Sequence, residues 1–596
     1  MKTKVEFVNG KPAVNADGKL YAPLAYTTYF DECGEWSDFI GCGYKMFFVN
    51  VSFTDLPINN ITGFTPFLTG VFEGDVPDYS GFDGYVRGIL SMCPDALIFP
   101  RINISMPLKW VSKNTYETVR TPNGGARESV FSDLFMRDGA YLLNELVSHI
   151  RSADYSENIA GYQVCGGTTQ EWIHHDLFGS YSEMGMKKFR EWVLSEYGTE
   201  NIKIPEKSKL TGGILTEEIK KYYEFCSVSA AKTVEYFAKE LKAIINGEQI
   251  VGAFYGYNCF VNDPLWGLHG LRSIIDSPYI DFFSSPCCYD DGRNLGLDWG
   301  DMLPVDSVKL HGKMCFIECD IRTHLTERMQ ASRPGVYPDD IYQQFDSRGN
   351  KTVWCGPDTC ELSLSAVTKA FAHQVTKASG IWWFDMWGGW YHDEKIMACM
   401  KKMHSHYSKY LLEDTSSFPS AETVLFIDEK AYSNIPRGSE LSCFVNNTRV
   451  ALGNTGIPFD IYMVEDAEKI IHKYKAAIFP APSPSESGIK ALELCRKLGI
   501  ACLSSAEDNA SYSTQELRSF LVSSGVHCYN SQNCVVYCSN GFLAVHTVDD
   551  GEVNISLPEK YRLIPLLGTD TAECETDKIS FIASKHSTAV FGFSLG

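Results

Sequence analysis

No run of about 18 consecutive apolar residues occurs in this 596-residue sequence, so no membrane-spanning helix is expected. Basic residues are in deficit: 53 Lys and Arg stand against 74 Asp and Glu, a formal net charge of −21. That balance disfavours nucleic acid and anionic membrane as partners and suits a neutral substrate. Internal repeats and low-complexity segments are absent, which removes solenoid and linker-rich architectures. The opening MKTKVEFVNGKPAVNADGKL has no apolar core with a cleavage pattern, and we read an unexported, cytoplasmic protein. None of the 20 cysteines shows C-x2-C spacing. Cys287 with Cys288, Cys315 with Cys319 and Cys355 with Cys360 are close pairs, but free thiols are expected, with no metal and no other cofactor.

What is present is a series of apolar runs separated by helical patterns. The length implies about three domains. Segment 4–14 reads as a hairpin around Asn9-Gly10. Eight runs follow, at 20–30, 44–53, 95–105, 159–164, 250–257, 280–285, 313–318 and 380–387. Helical spacing appears at 138–152, 181–197, 217–245 and 362–378, while 109–137 reads as a long polar loop. Eight strands alternating with helices predict a (β/α)8 TIM barrel over 1–415, hairpin included. From 416 to 530 short runs at 423–428, 459–464, 476–479 and 500–503 alternate with helices, a flavodoxin-like, doubly wound α/β domain. It lacks G-x-G-x-x-G and a P-loop, so nucleotide binding is not expected. Residues 531–596 read as a small antiparallel β domain with an Asn540-Gly541 turn.

Two runs end in carboxylates. IAGYQVCGGTTQEW breaks at Gly166-Gly167 and delivers Glu171 beside Trp172; KMCFIECDIRT ends in Glu318, followed by Asp320 and Arg322. The C-terminal mouth of a barrel is where such side chains do chemistry. Paired acids there fit glycosidic cleavage, one protonating the leaving oxygen and the other attacking the anomeric carbon. Trp172 would wall Glu171 and raise its pKa. The plainer readings are a capping acid for Glu171 and a buried salt bridge to Arg322 for Glu318; Asp320 is the rival nucleophile. Arg101 and Asn103 share a parity on the third strand, and Gln163 and Gln170 flank the Gly-Gly break. Tyr255 and Tyr257, Tyr289, and the alternating Trp383, Asp385 and Trp387 are further substrate-binding candidates, each with core filling or a loop position as the plainer alternative. His174-His175 reads as a solvated loop pair, and with Asp176 lacks a fourth ligand for zinc. The aromatic content, 13%, fits sugar-stacking platforms as well as ordinary cores.

The stretches at 98–110, 159–172, 181–198, 312–323 and 380–389 (IFPRINISMPLKW, IAGYQVCGGTTQEW, YSEMGMKKFREWVLSEYG, GKMCFIECDIRT and GIWWFDMWGG) carry a resemblance. The chain resembles the clan A retaining glycoside hydrolases, most of all the family 42 β-galactosidases. The resemblance spans nearly the whole chain in architecture and short motifs. It implies Glu171 as acid/base, Glu318 as nucleophile, a small oligosaccharide or glycoside as substrate, and a homo-oligomer, a trimer assembled through the α/β domain. The family carries Asn directly before the acid/base where this chain has Gln170; Gln170 or Gln163 would then meet the sugar 2-hydroxyl. A β-mannosidase or other β-glycosidase of the same plan stays open, as does a dead barrel that only binds carbohydrate. An amidotransferase would need a cysteine at a strand–helix elbow, and Cys495 lies within a helical pattern.

Overall fold

A computed structural model describes residues 1–55, 70–122, 124–199, 201–289, 293–332, 334–335 and 355–594. The N-terminal segment is a three-stranded antiparallel sheet, β1 (Thr3–Val8), β2 (Lys11–Ala16) and β3 (Lys19–Tyr21). Asn9 and Gly10, at φ 48° and 78°, make the expected two-residue turn. Val14 and Ala16 pack under the barrel, and the Thr3 hydroxyl accepts from the Ile250 N–H at 2.9 Å, so this sheet closes the end opposite the mouth.

The eight runs form β4 (Leu24–Thr28), β5 (Met46–Ser52), β6 (Leu97–Asn103), then, after a small hairpin of β7 (Thr118–Arg120) and β8 (Ala126–Glu128), β9 (Gly161–Cys165), β10 (Ile250–Phe254), β11 (Phe282–Pro286), β12 (Met314–Cys319) and β13 (Gly380–Asp385). They close in parallel in the order β10-β11-β12-β13-β4-β5-β6-β9. Every residue of these eight strands is buried, because helices cover one face and the barrel interior the other. Phe48, Phe99, Phe254, Phe282, Phe316 and Trp382 fill the interior, with Phe48 and Phe99 stacked at 4.7 Å and Phe48 at 5.0 Å from Trp382. This aromatic plug blocks the axis, so polar interior side chains collect at the mouth.

The helices begin where short oxygen-bearing side chains cap them. Ser132 accepts from Phe135 N to open Asp133–Ser152, Ser182 from Gly185 N to open Glu183–Tyr197, and Thr359 from Leu362 N to open Cys360–Thr376. Segment 109–137 is therefore not one long loop. It holds most of the helix Leu108–Lys113, the β7–β8 hairpin and the first turn of the next helix, which starts at Asp133 rather than at the predicted 138. The polar composition hid them, because Ser132 serves as a cap rather than as loop.

Beyond the barrel, β14 (Thr423–Ile427), β15 (Phe459–Met463), β16 (Ala476–Phe479) and β17 (Ala501–Ser504) form a parallel sheet in the order β15-β14-β16-β17. The helix Glu486–Lys497 lies between β16 and β17 and contains Cys495. The last strands, β18 (Val535–Ser539), β19 (Phe542–His546), β20 (Gly551–Leu567), β21 (Cys574–Ala583) and β22 (Thr588–Ser594), make an antiparallel sheet ordered β18-β19-β22-β20-β21. The register of β20 breaks between Ser556 and Tyr561, where Pro558 cannot donate to the ladder. Among the described residues no helix is long and apolar enough to cross a membrane.

Candidate active site

After β9 the chain turns through Gly166 and Gly167 with no room for a side chain. A Cβ on Gly166 would stand 2.7 Å from the Trp172 ring, and one on Gly167 2.5 Å from the Ile173 carbonyl oxygen. The turn is held by Trp172 N donating to Gly166 O at 2.7 Å and Thr168 N to Ile173 O at 2.8 Å. Thr169, Gln170 and Trp172 adopt left-handed backbone at φ 54°, 76° and 60°, a conformation costly for branched and bulky residues. Three strained residues around one acid mark a place where geometry is held against local preference. Glu171, between them, keeps a sliver of exposure at the mouth, yet the protein around it desolvates the carboxyl. Burial raises its pKa to about 7, against the hydrogen bond from Thr169 and the Arg101 charge. The Thr169 hydroxyl donates to Glu171 Oε2 at 2.5 Å.

Glu318 lies on the inner face of β12, in register with Pro286 and Trp382. The Tyr289 hydroxyl stands 3.3 Å from Glu318 Oε1 and donates to Asp320 Oδ2 at 2.7 Å. Asp320 is clamped by Arg293 Nη2, 2.6 Å from its Oδ1, and by Arg322 Nη1 on its Oδ2. Burial opposes its ionisation, but these two guanidinium groups outweigh burial and hold the carboxyl below the usual range. Arg322 thus pairs with Asp320, not with Glu318, and the rival acid has both oxygens committed. Glu318 is raised, first by burial and then by the Asp320 charge, with Arg101 and Arg293 pulling it down and Glu171 adding to the rise. Glu318 therefore feels the charges of both Asp320 and Glu171, and Glu171 that of Asp320.

Asn50, Arg101 and Gln163 are in register across β5, β6 and β9. The Arg101 guanidinium lies 4.6 Å from the Trp382 ring and 4.8 Å from that of Phe254, on the inner side. No hydrogen-bond partner meets any of its three nitrogens, nor the side-chain amides of Asn103, Gln163 and Gln170, the hydroxyls of Tyr257 and Ser284, or Glu318 Oε2. All are buried. Such a concentration of unpaired donors and acceptors is costly unless a polar ligand completes it.

Several expected site residues lie elsewhere. Trp172 stacks on Phe237 of the helix Glu217–Ile244 at 5.7 Å and donates its indole N–H to Val164 O, so it packs behind the strand. On β13 the inward parity belongs to Trp382 and Phe384; Trp383 faces the helical layer and donates to Tyr44 OH at 2.9 Å. Asp385 shares that outward parity, accepts from Trp390 N at 3.3 Å, and is pushed up to about 7 by burial. Trp387 donates to Glu327 O at 3.2 Å and meets Trp390 edge-on, 5.7 Å from Arg322. Tyr255 points outward, donating to Gly267 O at 2.8 Å. The histidine pair is not solvated: His174 lies between Ser180 and the Cys226 carbonyl, and His175 stands 3.4 Å from Glu128. Arg293 was missed because it follows the sixth strand in a stretch without periodicity; Asn50, Thr169 and Trp382 carried no distinguishing signal. Among the described residues, neither group of His, Cys and carboxylate donors close enough to share an ion includes Glu171, Glu318 or Asp320.

The sequence matches no protein-family model. No curated protein matches it. Solved structures do match over nearly the whole chain. A β-galactosidase from the psychrophilic Marinomonas ef1 is 12% identical, with a TM-score of 0.57 over 96% of this chain and 100% of that one. A GH42 β-galactosidase from G. stearothermophilus is 10% identical, with a TM-score of 0.60 over 99% of both chains. An exo-carrageenase GH42 from Bacteroides ovatus is 12% identical, with a TM-score of 0.57 over 100% of this chain and 85% of that one. The chain has the fold of the GH42 glycoside hydrolases, a (β/α)8 barrel followed by a parallel α/β layer and a C-terminal antiparallel sheet.

Proposed function

We propose that the protein is a retaining exo-β-glycosidase that removes a terminal β-linked sugar, a galactoside first among them, from a small oligosaccharide or glycoside. The observation that supports this reading is that Glu171, kept protonated up to about pH 7 by burial, acts electrostatically on Glu318, whose Oε1 stands 3.3 Å from the Tyr289 hydroxyl. Glu318 attacks the anomeric carbon while Glu171 gives its proton to the leaving oxygen; a glycosyl-enzyme ester forms and the aglycone departs. Glu171, now anionic, takes a proton from water, which attacks the same carbon and frees Glu318. The buried amides of Asn103, Gln163 and Gln170, with Arg101 and Tyr257, supply the donors and acceptors that sugar hydroxyls need. The two β-galactosidases of the same fold favour galactose. The α/β layer would serve as a trimer contact, which light scattering checks; a monomer removes that part.

The test is hydrolysis of a panel of nitrophenyl β-glycosides. Glu318→Gln is expected to abolish turnover with the fold intact. Glu171→Ala is expected to lose about 10²–10⁴-fold on poor leaving groups, far less on nitrophenyl sugars, and to gain rate with added azide, which needs no general base. Wild-type cleavage of mannosides in place of galactosides would change the sugar. Binding without cleavage of any member would leave a carbohydrate-binding barrel and overturn the enzyme.

A further inference from the structure

Three potential ligand atoms converge beside the mouth from elements far apart in sequence. His324 leaves β12 two residues after Arg322, Cys360 is the first residue of the helix Cys360–Thr376, and Asp393 caps the helix Glu394–Leu412. One donor atom from each lies within 4.8 Å of the other two. An ion bound tetrahedrally by N, O and S at ordinary zinc distances needs donors about 3.3–3.8 Å apart. Cys360 Sγ is already 3.7 Å from Asp393 Oδ1.

The surroundings prepare two of the donors. The Ser363 hydroxyl gives its single hydrogen to Thr359 O at 2.9 Å, so its oxygen can only accept from His324. It accepts from the His324 backbone N–H at 2.8 Å and stands 3.1 Å from Nδ1. Nδ1 must therefore carry the imidazole proton, which leaves the lone pair on Nε2, the arrangement that a neighbouring acceptor imposes on metal-ligating histidines. The Asp393 carboxylate is oriented by the Lys395 and Ile396 N–H groups, which donate to Oδ1 at 2.8 and 3.0 Å.

We propose that His324, Cys360 and Asp393 bind one divalent transition-metal ion, zinc by preference, with solvent as the fourth ligand. A thiolate and an imidazole select zinc, cobalt or nickel over magnesium and calcium. The thiol proton that now faces Asp393 leaves to solvent as the Cys360 sulfur coordinates; one thiolate and one carboxylate then neutralise the two positive charges. All three side chains are partly exposed, so the ion can enter. Its position joins the loop after β12, which carries Asp320 and Arg322, to the loop after β13, which carries Trp387 and Trp390. The Thr323 hydroxyl already donates to Trp390 O at this junction. The ion acts as a staple of the mouth, with no part in bond cleavage.

The experiment uses the full chain, stripped with a chelator and titrated with Co²⁺, then with Zn²⁺ in competition. The wild type is expected to take up one equivalent with a thiolate-to-cobalt charge-transfer band, to lose the band on adding Zn²⁺, and to melt higher with metal than without. Cys360→Ser is expected to lose the band, and His324→Gln to bind at least tenfold more weakly. No thiolate band in the wild type overturns the site whatever the variants do. So does a band that persists in Cys360→Ser, which would place adventitious cobalt on another of the 20 cysteines. If Cys360→Ser does not fold, His324→Gln and the wild-type stoichiometry still decide, since uptake unchanged by His324→Gln also overturns it. Glycosidase activity is not the readout, so a failure here is separate from a failure of the proposed function.

Discussion

Arg101 sets the working pH of the pair. Its guanidinium is buried on aromatic faces, and its charge lowers the pKa of both Glu171 and Glu318. Under the proposed mechanism Glu171 must hold a proton, so kcat/KM falls as pH rises through about 7. Glu318 must be an anion, so the rate also falls as pH drops through its pKa, which burial lifts above the ordinary carboxylate range. A narrow bell results. Arg101→Met removes a cation from beside both acids, so both pKa values rise and both limbs move to higher pH; Arg101→Lys, which keeps the charge, holds them nearer the wild type. A pH profile that keeps its limbs in Arg101→Met would show that the guanidinium acts only through packing.

The β7–β8 hairpin supports the Glu171 loop from outside the barrel. Arg127 and Glu128 pair at 2.8 Å with almost no exposure, Arg127 donates to Met106 O, and Glu128 meets His175, which stands 3.4 Å from the Thr168 hydroxyl. Burial opposes ionisation of Glu128, but the Arg127 guanidinium, helped by His175, wins and depresses the carboxyl to about 2. A depressed acid contributes stability that is present above its unfolded pKa and lost as pH falls through the folded one. Glu128→Gln is therefore expected to cost about 3–5 kcal/mol at pH 7, because it also strands Arg127. The gap in melting temperature to the wild type should close as pH is lowered from 5 toward 2; a gap independent of pH would assign the loss to packing alone. This hairpin was invisible in the sequence, since two three-residue strands in a polar stretch give no period. The eight barrel strands were legible because each is an apolar run long enough to be buried on both faces. The same double burial erased their parity: nothing in GIWWFD says which tryptophan faces inward, and Trp382, not Trp383, lies beneath Arg101. Glu171, Glu318, Arg101 and Tyr289 could be named because polar groups at the ends of apolar runs stand out. Arg293 could not, since only the folded loop brings it to Asp320.

That loop after β11, which presents Tyr289 and Arg293 to the acids, is also where the three layers of the molecule meet. Asp298 receives Arg449 Nη1 from the α/β layer at 3.2 Å and the Tyr537 hydroxyl from the C-terminal sheet at 2.9 Å. Asn454 Nδ2 donates to Gly296 O at 2.9 Å, and the Gly296 N–H donates to His546 Nε2 at 2.7 Å. The fit is tight enough that a Cβ on Gly300 would stand 1.8 Å from the Arg449 guanidinium and one on Gly453 2.0 Å from the Asp298 side chain. Arg449→Met removes the guanidinium that pairs with buried Asp298, a loss of about 3–5 kcal/mol. Because the clamped loop also carries Tyr289 and Arg293, the variant is expected to lose activity below its melting temperature, by up to about a hundredfold if those groups shift by an ångström. Gly300→Ala should reproduce both effects by displacing the same guanidinium, without touching any group at the mouth. Calorimetry and kcat measured together separate the outcomes: lower stability with unchanged kcat would mean that the outer layers only stabilise the barrel, whereas a joint loss would mean that they hold the Tyr289–Arg293 loop in register with the acids.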